Sequence, residues 1–104
     1  MSEPGQVRIH RLARFGLTTA DAVALAAFFE TALGFRRIAS ERFSGMEFRR
    51  LMGVEGGAES IKLGLGSEIV ELLQFDRPGR PYPPDTLASD LIFQHFAVVA
   101  ADIR

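Results

Sequence analysis

Glu71 and His95 are the side chains of this 104-residue chain best suited to chemistry. Glu71 falls in the stretch Glu68 to Phe75, where an extended backbone puts Ile69, Glu71, Leu73 and Phe75 on one side. A carboxylate on an inward apolar face is costly unless it is paired or bound to a metal. His95 follows Phe93-Gln94 and runs into Phe96-Ala97-Val98-Val99, so it too falls on a strand expected to be buried. A neutral imidazole and a carboxylate together suit Zn, Fe, Ni or Mn. A lone histidine is more often a hydrogen-bonded core residue, and that alternative stays open beside the metal.

Other arrangements carry less. Gly64-Leu65-Gly66 lacks the third glycine and the following helix of a dinucleotide fingerprint. Ser60, Ser67 and Ser89 sit in no nucleophile elbow. Arg77 and Arg80 flank Pro78-Gly79 and could touch an anion, although loop arginines are usually solvated. Phe43, Met46, Phe48 and Met52 could line or lid an apolar cleft, or simply fill a core. With no cysteine, disulfides, thiolate metal sites and cysteine nucleophiles are excluded. The 12 basic and 13 acidic side chains leave a formal charge of −1, so no basic excess points to nucleic acid. No apolar run reaches membrane-spanning length and Met1 to Val7 has no signal-peptide core, so the expected location is cytoplasmic.

These residues need elements to hold them. Leu12 to Thr19 alternates as a strand does, with Ala13, Phe15, Leu17 and Thr19 on one side. Asp21 is a good N-cap for a helix in which Leu25, Phe28, Phe29, Ala32 and Leu33 make a broad apolar face. Gly34 should end that helix. Phe35 to Phe43 reads as a second strand. Met46 to Met52 is ambiguous, because Phe48, Leu51 and Met52 fit a short helical turn, and Gly53, Gly56 and Gly57 mark a loop. Ser60 to Leu65 and Glu68 to Phe75 read as a β-hairpin turning at Gly66-Ser67. Asp76 to Asp90, with Pro78, Pro81, Pro83 and Pro84, is a proline-stiffened connector. Leu91 to Ala100 resumes as a strand. The division expected is a frayed terminus over 1–10, a βαβββ module over 11–76, a linker over 77–90 and an opening strand over 91–104.

The chain also repeats itself. His95-Phe96-Ala97-Val98-Val99-Ala100-Ala101-Asp102 lines up with Arg14-Phe15-Gly16-Leu17-Thr18-Thr19-Ala20-Asp21. One complete unit and the start of a second are expected.

That order of elements resembles the vicinal-oxygen-chelate superfamily of glyoxalases, extradiol dioxygenases and bleomycin-resistance proteins. The pieces that carry the resemblance are Leu17-Thr18-Thr19-Ala20-Asp21, Phe28-Phe29-Glu30-Thr31-Ala32-Leu33-Gly34-Phe35, Ile69-Val70-Glu71-Leu72-Leu73-Gln74-Phe75 and Phe93 to Asp102. The resemblance covers roughly residues 12 to 104. It implies an α+β fold in which paired βαβββ modules enclose a cleft for a small molecule. Family ligand positions fall on Arg14, Glu71 and His95, and the matching Glu of a second module would lie beyond Arg104, as in part of a longer protein. The resemblance therefore implies a divalent metal at Glu71 and His95, with Glu71 moving protons in a lyase, isomerase or dioxygenase acting on vicinal oxygens. Arg14 departs from the pattern, because a guanidinium has no lone pair for a metal. Arg14 could instead hold an anionic ligand or neutralise Glu71, which favours the alternative of a metal-free, drug-sequestering binding protein. His10 is four residues earlier and about 13 Å away along a strand, too far to substitute as a ligand. An opening strand without its own sheet must pair within the chain, beside Leu12 to Thr19, or with a second copy, and a symmetric homodimer is expected.

Overall fold

The computed structural model describes residues 7–81, 83–91, 99 and 101. Its elements are β1 (Phe15–Thr18), α1 (Ala22–Ala32), β2 (Arg36–Phe43), α2 (Met46–Met52), β3 (Ala58–Leu65) and β4 (Glu68–Phe75). The fold is α+β: among the described residues, one mixed four-stranded sheet in the order β1-β4-β3-β2, with two helices. β3 and β4 form the expected antiparallel hairpin, β2 pairs antiparallel with β3, and β1 returns to pair parallel with β4. The parallel pair needs a long crossover, and everything from α1 to β3 supplies it.

Helix α1 forms where the sequence places it. The Asp21 side chain accepts from the Ala24 amide at 3.0 Å, so the free N-terminal amides are partly satisfied. Gln74 adds a tie that no local pattern reveals, its side-chain oxygen accepting from the Ala22 amide at 2.8 Å and pinning the helix start to β4. Gly34, at φ +75°, ends the helix in the left-handed region that glycine tolerates. The buried stripe differs from the expected one. Ala22, Ala26 and Phe29 are buried, Leu25 and Leu33 are partly so, and Phe28 is 54% exposed. The small Ala22 and Ala26 let the helix approach the sheet closely, which turns Phe28 and Ala32 outward.

The main core lies between α1 and the sheet. Phe29 meets Phe35 edge to face at 5.0 Å, over Ile61 and Leu63 of β3 and Val70 and Leu72 of β4. Phe15 and Leu65 are 49% and 41% exposed at the margins of the sheet.

Several boundaries also move. The first strand is Phe15–Thr18, shorter than Leu12 to Thr19, and His10 precedes it instead of sharing its face. Met46–Met52 resolves as a helix, ended by Gly53 at φ +68° with its amide on the Arg49 carbonyl. No described residue of 76–91 is helix or strand, in keeping with a proline connector. The expected strand Leu91 to Ala100 falls almost wholly outside the described residues, His95 with it.

One junction locks β2, β3 and β4 together. Arg42 reaches Glu59 at 3.0 Å and both carboxylate oxygens of Asp76, and Asp76 accepts from the Gly57 amide at 2.9 Å. Gly57 is buried there, and a Cβ on it would lie 2.2 Å from the Phe43 carbonyl oxygen.

Candidate functional site

Alternation along β4 decides what faces the second side of the sheet. Val70, Leu72 and Gln74 point toward α1, so Glu71, Leu73 and Phe75 point the other way. Register places Lys62 across from Glu71 on β3, Ser60 across from Leu73, and Gly16 of β1 level with Glu71. Arg14, just ahead of β1, lies diagonal to Glu71 on the same face.

Glu71 is held from two sides. Arg14 Nε donates to Oε1 at 2.9 Å, and Ser60 Oγ donates to Oε2 at 2.6 Å. The Glu71 side chain is 8% exposed and that of Arg14 is 47% exposed. Burial alone would raise the Glu71 carboxyl, but the bonds from Ser60 and Arg14 and the charges of Arg14 and Lys62 outweigh it. The group is held below the ordinary carboxylate range and stays ionised. Lys62 turns its ammonium to Glu41 at 3.2 Å.

Over this floor stands α2. Phe48 lies between Phe43 of β2 and Phe75 of β4, with ring centroids 5.6 and 6.4 Å away. No residue of α2 is fully buried, and Leu51 is 84% exposed, so the aromatic stack is its principal hold on the sheet. Between helix and sheet is an open cleft of about 330 Å³ lined by Arg14, Phe43, Phe48, Leu51, Met52, Glu71 and Leu73. Its walls are apolar, and its two charged residues are partners to each other. Among the residues expected to line or lid a cleft, Phe43, Phe48 and Met52 do so, while Met46 is 65% exposed and is not in the lining.

Of the site residues expected from the sequence, Arg14 and Glu71 are brought together on the cleft floor; His95 lies outside the described residues. Ser60 is the functional neighbour that motif reasoning passed over. The available signal was its parity with the cleft face on β3, since a buried serine diagonal to a buried carboxylate is its natural donor. Arg77 contacts Glu55, away from the cleft lining.

The surroundings of Glu71 do not fit a metal centre. One of its oxygens faces a guanidinium, which cannot ligate, and the other faces a hydroxyl hydrogen. Among the described residues no three His, Cys, Asp or Glu side chains gather as a metal site would require. Among them, too, no helix is long and apolar enough to cross a membrane. Comparisons with protein-family models, curated proteins and solved structures return no match to the chain.

Proposed function

We propose that this protein binds a small molecule in the cleft beneath α2 without using a metal, as a βαβββ module of the vicinal-oxygen-chelate type. The observation that carries this reading is the engagement of both Glu71 oxygens by Arg14 and Ser60 on the floor of an apolar cleft. An ionised, doubly bonded carboxylate beside a cation is a poor metal ligand and a poor base, but a rigid polar anchor. The cleft volume is at the small end of the usual range for ligand sites, so a ligand of one or two rings fits it. The element order, with β1 returning beside β4, supports the module assignment. Among the described residues β1 is also an edge strand, and the proposal takes that edge as the place where a second module, or a second copy in a homodimer, completes the pair.

The metal-dependent reading would need Glu71 released from Arg14 and Ser60 and joined by His95. Amide chemical-shift mapping with a panel of small neutral, cationic and anionic aromatic compounds tests the binding reading. Shifts concentrated at Phe43, Phe48, Met52 and Leu73 are expected. Shifts confined to the α1 side of the sheet, or none across the panel, would contradict it.

A further inference from the structure

The guanidinium of Arg14 is only half used. Its Nε is committed to Glu71, while Nη1 and Nη2 have no hydrogen-bond partner among the described residues. The side chain borders the cleft and is 47% exposed, so these donors are accessible from it. Next to it the floor is bare: Gly16 is level with Glu71, and a Cβ there would meet nothing within 4 Å. The remaining walls, Phe43, Phe48, Leu51, Met52 and Leu73, offer only apolar surface.

Resting on the cleft being a ligand site, we infer that its ligand is an aromatic or flat aliphatic monocarboxylate, its acid group bridged by Nη1 and Nη2 of Arg14 and its ring body against Phe43, Phe48 and Met52. The two Nη groups present parallel donors at the spacing of a carboxylate's oxygens, which a point-charge ammonium does not match. The flat body is set by the near-parallel Phe43 and Phe48 rings, 12° apart, and by the adaptable Met52. Charge sets the valence of the acid. Arg14 is already balanced by Glu71 and Lys62 by Glu41, so the floor is neutral before a ligand arrives. A single negative charge gains the two hydrogen bonds of the fork. A phosphate or dicarboxylate would add charge beside Glu71 that nothing in the cleft offsets.

Calorimetric titration of the full chain with naphthoate, naphthalene carboxamide and naphthyl phosphate tests this. Naphthoate should bind about tenfold or more tightly than the other two, in keeping with a charge-assisted fork. Arg14→Lys, which keeps the charge and loses the fork, should remove most of that preference, lowering naphthoate affinity by more than carboxamide affinity. Gly16→Leu, which adds a side chain level with Glu71, should weaken naphthoate and carboxamide alike. Equal affinity for acid and carboxamide, or tighter phosphate binding, would overturn the inference and leave the cleft as a ligand site. Absence of binding by all three at millimolar concentration would overturn both.

Discussion

Ser60 donates a 2.6 Å hydrogen bond to Glu71 across the β3–β4 pair, from the diagonal position and not from the one directly opposite. Lys62 is directly opposite, yet its ammonium goes to Glu41. The carboxylate is thereby shared between a neutral hydroxyl on one neighbouring strand and a guanidinium beside the other. Removing either donor should be felt. Ser60→Ala leaves a buried oxygen without its partner and should cost roughly 1–3 kcal/mol. Arg14→Ala should cost roughly 1–2 kcal/mol, less than for a fully buried pair because Arg14 is half exposed. Denaturant unfolding of the two variants measures both, and parent-like midpoints for both would contradict the shared-carboxylate arrangement.

Acid should weaken the fold through the same group. The folded-state pKa of Glu71 is lowered from its ordinary value, so its contribution is complete above the unfolded value of about 4.3 and is lost as pH falls through the folded value. Asp76 acts in the same sense, lowered first by its bond from Arg42 and then by the Gly57 amide. Comparing the parent with Glu71→Gln isolates the first group. The stability gap between them should be wider at neutral pH than at about pH 3. A gap that is constant, or wider in acid, would show that the charge of Glu71 contributes nothing.

The two phenylalanines of α1 should separate cleanly. Phe29 is 4% exposed and packs on Phe35, whereas Phe28 is 54% exposed. Phe29→Ala should cost about 3–5 kcal/mol. Phe28→Ala should cost well under half of that, because only part of its ring leaves water on folding. Thermal melts of both variants check this; equal losses would mean that the helix is rotated from the described face.

Gly57 is needed for space, not for backbone freedom. Gly57→Ala forces a Cβ to within 2.2 Å of the Phe43 carbonyl and should cost about 1–3 kcal/mol as the β2–β3 end opens. Gly16→Ala, where the added carbon meets nothing within 4 Å, is the matched control and should melt with the parent. A Gly57→Ala protein as stable as that control would contradict the packing at this junction.

Much of the fold was legible because its signals are local. Asp21 and Gly34 bound α1, and the alternation of Glu68 to Phe75 put Glu71 on one face with Leu73 and Phe75. Periodicity left open which phenylalanine is buried, because Phe28 and Phe29 both fit an apolar stripe and only the closeness permitted by Ala22 and Ala26 decides between them. Gln74 at the start of α1 left no signal in the sequence, and Ser60 at Glu71 left only its parity on β3, for another reason. Each acts across strands or between layers, at a register that only the assembled sheet defines. The pairing of Arg14 with Glu71 stood in between, since residues 57 apart meet only when β1 returns beside β4.

The central claim is that Glu71 serves as an anchor held by Arg14 and Ser60 and not as a metal ligand. Elemental analysis of the full-length protein, purified without chelator and compared with Glu71→Gln, tests it most directly. The account predicts no divalent metal in stoichiometric amount in either protein. One Zn, Fe, Ni or Mn per chain in the parent, lost in Glu71→Gln, would contradict it.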